Sequence, residues 1–467
     1  MRYVSTRGQA PVLDFEGVLL AGLASDGGLY LPESWPQFSA AEWRAMRGLS
    51  YNELAFRIMQ PFLGGLIPDA DFRRMIAEAY GAFGHKAVTP LSQLDANDWL
   101  LELYHGPTIA FKDVALQLLG RLFDWALARS GKKATILGAT SGDTGSAAIE
   151  GCRGRNALEI FILFPHGRVS DVQRRQMTTV ADANVHAIAL EGTFDDAQAM
   201  VKTLFGDAAF RDRAGLTAVN SINWARVMAQ IVYYAAAALA LGAPDRPVSF
   251  CVPTGNFGDI FAGYCAQRMG LPIHKLIVAT NRNDILTRFF ETGDYRKSGV
   301  APTISPSMDI QVASNFERLL FDLHGRDGAV LRDMMAALDG SGGFSVSSNA
   351  LAETRQLFAA GRSDEAATKA AITLGFKQTG RLIDPHTAVG LHVAAEARAR
   401  GVVPADIPLV TLATADAAKF PDAVKAATGQ HPPLPARMAD LFERPERMTI
   451  LPNDANAVRR FIDSVIA

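Results

Sequence analysis

The spacing of apolar positions changes along this chain, and the change divides it. From Trp99 onward, short apolar runs of strand type are each followed by an amphipathic stretch of helical period, the signature of a parallel α/β architecture. Strands are expected over Ala134–Leu137, Glu159–Phe164, Val185–Leu190 and Leu216–Val219, with helices Ala147–Arg153, Asp171–Thr178 and Phe194–Phe205 between them. A long helix follows Trp224. Strands Val248–Val252 and His274–Ala279 then flank a helix over Ile260–Met269. The alternation lapses for about a hundred residues from Asp284, which read as mostly helical, and resumes with strand Leu409–Leu412.

Residues 1 to 95 follow a different pattern and read as an N-terminal α+β unit. Leu13–Gly22 and Gly28–Pro32 read as short strands and turns. Ser39-x-x-Glu42 and Ser50-x-x-Glu53 match the capping box that opens a helix, and Asp69–Phe83 is amphipathic at helical spacing. Pro432-Pro433-Leu434-Pro435 marks a connector to a C-terminal helix. The expected fold class is therefore α/β, with two open twisted domains in a catalytic region over 96–430. The smaller domain spans about 113–220, and 431–467 forms a helical arm.

Composition narrows the function. A chain of 467 residues with 49% hydrophobic and 20% charged residues is that of an ordinary globular protein with sizeable cores. A net charge of -2 and no dense basic run argue against nucleic acid as a partner. The uncharged run between Arg226 and Asp245 is Ala-rich and carries Gln230, Tyr233 and Tyr234, so it reads as a buried helix rather than a membrane span. The N-terminus has no signal-peptide pattern, and Cys152, Cys251 and Cys265 are scattered without zinc spacing, so the expected location is cytoplasmic. No metal site is expected, because the nine histidines show no ligand motif.

Chemistry concentrates in loops that leave strands, where α/β sheets bind ligands. In His105-Gly106-Pro107-Thr108-Ile109-Ala110-Phe111-Lys112-Asp113, the Gly-Pro pair breaks regular structure and a helix should begin near Lys112. A lysine in a helix's first turn, partly desolvated by Phe111, has a lowered pKa and the reactivity of a nucleophilic amine. The alternative is a solvated helix-start lysine. The loop Gly255-Asn256-Phe257-Gly258-Asp259 offers backbone amides at a helix N-terminus, an anion site suited to a phosphate monoester, though Gly-Asn is also ordinary turn chemistry. The loop Thr140–Ser146 is dense in hydroxyls and glycines, which fits a carboxylate or phosphate site or simply a capping turn. Arg226 is placed to pair a phosphate or to make a salt bridge. Together, a lysine, two anion loops and an arginine suggest pyridoxal phosphate chemistry on a phosphorylated amino acid.

These residues resemble the threonine synthases, pyridoxal-phosphate enzymes of the tryptophan-synthase-β-like fold (fold type II). The resemblance is nearly full length. It rests on Tyr3–Gly8, Asp26–Pro32, His105–Thr108 with Phe111-Lys112-Asp113, Thr140–Gly145, Asn220–Asn223, Gly255–Asp259, Ser305–Asp309 and Asp384–Ala388. It implies that Lys112 is the Schiff-base lysine and proton carrier, and that Gly255, Asn256, Phe257, Gly258 and Asp259 hold the cofactor phosphate. It implies that Thr414 meets the pyridine nitrogen, and that Thr140, Ser141, Asp143 and Thr144 contact the substrate carboxylate and the cofactor's ring oxygen. Many relatives carry Asn where Asp143 stands. Ser221 and Arg226 would face the substrate phosphate, and His386 receives no role.

The implied reaction converts O-phospho-L-homoserine and water to L-threonine and phosphate, with closure of the small domain as the expected gate. The expected state is a monomer or homodimer without nucleic-acid or membrane partners. The nearest rival is a same-fold eliminase, either a phosphohomoserine phospho-lyase or a serine/threonine dehydratase. A catalytically silent scaffold is the rival of another class, against which the intact lysine and both loops count.

Overall fold

The computed structural model of the chain describes residues 1–140 and 142–466. Two parallel sheets organise it. The larger has six strands in the spatial order Phe358–Arg362, Ile273–Thr280, Val248–Pro253, Leu409–Ala413, Asp98–Glu102 and Leu91–Gln93. All its pairings are parallel except the last, where Leu91–Gln93 closes the edge antiparallel. The smaller sheet is parallel throughout, in the order Thr449–Pro452, Val185–Glu191, Leu158–Pro165, Ala134–Ala139 and Leu216–Thr217. Strands with six of six or seven of eight buried residues, such as Val248–Pro253 and Leu158–Pro165, are covered on both faces by helices, as parallel sheets require.

The N-terminal segment packs on the long apolar helix Trp224–Ala240. Trp224 is fully buried at that junction, with Tyr3, Trp35 and Phe62 rings 6.0, 6.1 and 5.6 Å from its own. Polar contacts tie the same surfaces. Thr6 Oγ1 donates to Glu317 at 2.6 Å, and buried Arg318 donates from Nε to the Tyr30 carbonyl at 2.9 Å.

Several elements differ from the expectation. Phe15–Ala21 is a helix, not a strand, because Asp14 caps it by accepting from Gly17 N and Phe15, Val18 and Leu19 recur at i, i+3 and i+4. Ser39 forms the full capping box with Glu42, whereas Ser50 makes only half. Glu53 is drawn away to Arg57 and Arg73 instead. The stretch after Asp284 hides strand Phe358–Arg362, an edge of the large sheet, and the antiparallel pair Asp294–Arg296 with Gly343–Ser345. The expected C-terminal arm contains strand Thr449–Pro452, which pairs with Val185–Glu191, before its helix Ala455–Ile466. These strands are too short to show a period of their own. Long-range pairing makes them.

Among the described residues no helix is long and apolar enough to cross a membrane. None of their His, Cys, Asp and Glu side chains form a group of three or more that could hold a metal ion. The three cysteines are free and buried.

Candidate active site

One cavity gathers most of the chemistry at the carboxyl ends of the large sheet's central strands. Phe111, Lys112, Asp143, Thr144, Ser221, Arg226, the segment 253–259, Ser307, Met308, His386 and Thr414 line it.

The helix Lys112–Ser130 presents the lysine from its first turn. The preceding loop is stitched to the strand-exit loop opposite, since Phe111 N donates to the Thr414 carbonyl at 2.8 Å. Asp113 folds back beneath that loop, accepting from Thr108 N and Thr108 Oγ1, each at 2.8 Å. Gly106 is required there: a Cβ would fall 2.3 Å from Asp113 Cβ. Burial pushes Asp113 up to about 6, against the pull of its Thr108 hydrogen bonds and of Lys419.

Lys112 is buried, and its Nζ donates to Asp143 Oδ2 at 3.3 Å. Burial lowers its pKa; Asp143 pulls it back up, while Lys419 and Arg226 push it further down. Asp143 opens the helix Asp143–Cys152, with Lys419 Nζ 2.9 Å from Oδ1 and Gln173 Nε2 donating to the same oxygen at 2.8 Å. Burial alone would raise this carboxyl. Lys419 and Lys112 outweigh it, with help from His386 and Gln173, and hold it well below the usual carboxylate range.

The Gly255–Asp259 loop joins a strand of the large sheet to a helix. Strand Val248–Pro253 ends at a proline, and Phe257 takes a left-handed φ of 65° before helix Gly258–Arg268. A non-glycine residue held in that conformation costs about 1–2 kcal/mol. The Phe257 ring is locked against Phe316, 5.1 Å away, and Phe358, 6.0 Å away. Asp259 accepts hydrogen bonds from the Tyr233 and Tyr234 hydroxyls, the latter at 2.9 Å. Burial nonetheless pushes its carboxyl up to about 6.

Among the described residues, four cavity-lining polar atoms are buried without a protein partner: Thr414 Oγ1, Arg226 Nε, Gln230 Oε1 and Asp259 Oδ2. Such atoms are costly unless a ligand meets them. Arg226 Nη1 donates to the Val219 carbonyl at 2.9 Å, which aims the guanidinium, and burial lowers it to about 10. An unpartnered hydroxyl, a buried amine and a strand-to-helix loop lining one cavity fit a flat, phosphorylated aromatic aldehyde.

The structure thus brings together Lys112, Asp143, Thr144, Ser221, Arg226, the Gly255–Asp259 loop and Thr414. Thr140 is spent on its own turn, its Oγ1 accepting from Gly142 N and Gly145 N at 2.9 Å each. Ser141 lies outside the described residues. Sequence reasoning missed Lys419, Gln173, Gln230, Ser307 and the placement of His386. The His386 ring is held by Asp384 Oδ1 at 2.9 Å from Nδ1, and its Nε2 accepts from Ser307 N at 3.2 Å. Only Lys419 had a signal, five residues past Thr414 in one strand-exit loop.

A lysine between two α/β layers, facing an amide-lined anion loop, defines the pyridoxal-phosphate-dependent enzymes of fold type II. The family model described as "Pyridoxal-phosphate dependent enzyme" matches residues 83–415. On either side of it, "Threonine synthase N terminus" matches residues 2–80 and "Threonine synthase, C-terminal" matches 387–462. The chain belongs to the threonine synthase family. A threonine synthase of Pseudomonas aeruginosa is 58% identical, the match covering 99% of this chain and 98% of that one. Among solved structures, PLP-bound threonine synthase from Brucella melitensis superposes with a TM-score of 0.97 at 58% identity, covering 100% and 99% of the two chains. Threonine synthase from yeast superposes with a TM-score of 0.94 at 40% identity, covering 100% and 98%.

Proposed function

We propose that this enzyme converts O-phospho-L-homoserine and water to L-threonine and phosphate. The observation that carries the reading is that a strand-to-helix loop and a buried arginine line the same cavity. The Gly255–Asp259 loop is suited to a cofactor phosphate, and the buried Arg226 beside Ser221 to the phosphate of a substrate. A dehydratase acting on serine or threonine needs only the first.

Pyridoxal phosphate supplies the electron sink that lets carbon–hydrogen bonds near the substrate amino group ionise. Lys112 would hold it, the Gly255–Asp259 amides its phosphate, and Thr414 Oγ1 its ring nitrogen. A hydroxyl there, unlike a carboxylate, does not fix a proton on the ring, so more of the proton handling falls to Lys112. Its Nζ would take the proton from Cα and then one from Cβ, so that the Cγ–O bond can break. It would then return protons to Cγ and, after water adds at Cβ, to Cα. A lowered pKa suits an amine that must both accept and release protons near neutrality. Asp143 orients that amine, and Thr144 with the neighbouring amides would meet the substrate carboxylate. Arg226 would hold the departing phosphate. Ser307 and Met308 line the cavity and would help keep water from Cβ until phosphate has left. The cytoplasm is the setting this reading calls for, with the enzyme acting as a monomer or homodimer.

The test is incubation of the purified protein with O-phosphohomoserine, with threonine, 2-oxobutyrate and phosphate scored together. Threonine and phosphate in equal amounts are expected. Phosphate with 2-oxobutyrate in place of threonine would make the enzyme a phospho-lyase.

A further inference from the structure

We propose that Lys419 is a positioning residue that acts on Lys112 through Asp143, supplying the fixed countercharge that lets a buried carboxylate serve as the amine's hydrogen-bond partner. The inference rests on the reading of Lys112 as the cofactor-bearing lysine.

The geometry is a bridge. Asp143 Oδ2 accepts from Lys112 Nζ at 3.3 Å, while Lys419 Nζ stands 2.9 Å from Oδ1. Lys419 comes from the short turn Ala417–Lys419 that follows the central strand Leu409–Ala413. Its side chain is fully buried, and Nζ also donates a hydrogen bond to the Thr108 carbonyl at 2.9 Å. It is not among the residues that line the cavity, and Asp143 joins it to the Lys112 amine. The other charged or titratable groups facing the cluster are His386 and Arg226 on the cavity wall and Asp113 under the lysine loop.

The need for such a residue follows from electrostatics. Lys112 must gain and lose a proton during turnover, so it cannot be the permanent partner of a carboxylate at this depth. With Lys112 neutral and Lys419 absent, Asp143 would be a lone buried anion, a state far costlier than a paired one. With Lys419 in place, the Asp143–Lys419 pair stays neutral whichever form Lys112 takes. Asp143 then remains an acceptor that orients Nζ without fixing its proton. The contact to Thr108 adds a mechanical link, since Thr108 also binds Asp113 next to Lys112.

The experiment compares four holoenzymes loaded with pyridoxal phosphate: wild type, Lys419→Met, Asp143→Asn and the double variant. The pH midpoint of the visible absorbance of the lysine–cofactor linkage is read in each. Lys419→Met should raise the midpoint by about one pH unit, because an uncompensated carboxylate favours the protonated nitrogen. Asp143→Asn should lower it, because a bare cation is left behind. The double variant should return to within about 0.3 units of wild type. A role confined to tethering Thr108 predicts no movement in Lys419→Met and no compensation, and either result overturns the proposal. If Lys419→Met does not fold, recovery of the double variant with a near-wild-type midpoint supports charge balance, and failure of both overturns it. Visible absorbance that persists in Lys112→Ala would remove the reading of Lys112 itself, a failure distinct from an unmoved midpoint.

Discussion

The two ends of the site are built by opposite means. At one end, five consecutive residues, Gly255 to Asp259, line the cavity, with Phe257 packed against Phe316 and Asp259 held by the Tyr233 and Tyr234 hydroxyls. At the amine end, Lys112, Asp143 and Lys419 arrive from three separate elements and are held by charge. Amide dipoles suit a phosphate, whose charge stays fixed, and they need no titration. An amine that passes protons needs partners whose own charges cancel. The first task suits contiguous backbone, the second requires convergent side chains.

Substitutions should separate the two ends, and the largest loss belongs to the amine. Lys112→Ala should fold yet lose turnover by about a thousandfold or more, together with the borohydride-reducible link to cofactor, as read by steady-state kinetics and by mass after reduction. Near-wild-type turnover would show that the proton carrier lies elsewhere. Arg226→Ala comes next: kcat/KM for O-phosphohomoserine should fall roughly a hundredfold while cofactor affinity holds, because a buried charged hydrogen bond to substrate is lost. Equal losses of cofactor and substrate binding would assign Arg226 to the cofactor end. Gly255→Ala should act on the anion loop alone. A Cβ there would stand 2.7 Å from the Ser307 carbonyl, so the loop must shift, and cofactor affinity should drop about tenfold in a fluorescence titration of the apoenzyme. An unchanged affinity would mean that the Ser307 segment yields instead.

The same contrast explains what the sequence revealed. Gly255–Asp259 and the Lys112 turn were legible because strand, turn and helix signals sit within a dozen residues of each other and dictate the local geometry. The α/β alternation was legible for the same reason. Gln173 was not, since nothing near it announces that its side chain ends at Asp143, and Lys419 was signalled only by its place five residues past Thr414. Strands Phe358–Arg362 and Thr449–Pro452 were missed on like grounds, because each is a short run completed by pairing with a distant strand. Phe15–Ala21 was misread although its cap and apolar spacing were present. Seven residues simply leave little periodicity to count. Thr140, expected to face substrate, also serves the turn that carries it, its hydroxyl accepting from Gly142 N and Gly145 N.

The smallest expected effect concerns the one ionisable group in the anion loop. Burial raises Asp259 to about 6, against the pull of the Tyr233 and Tyr234 hydroxyls. An aspartate in the unfolded chain titrates near 4, roughly, so between about pH 4 and 6 the folded apoenzyme binds more protons than the unfolded chain. A raised carboxyl of this kind costs stability as pH climbs through that window, and the full cost persists above it. Asp259→Asn removes this titration, while Asp113, which rises to about 6 as well, is common to both proteins and cancels. The melting temperature of wild type relative to the variant should therefore be higher at pH 5 than at pH 7, by about 1 °C in the apoenzyme. Parallel melting curves across that range would mean that Asp259 stays ionised. A neutral Asp259 would instead offer its unpartnered Oδ2 as a donor to phosphate, making even the backbone-built end depend on one proton.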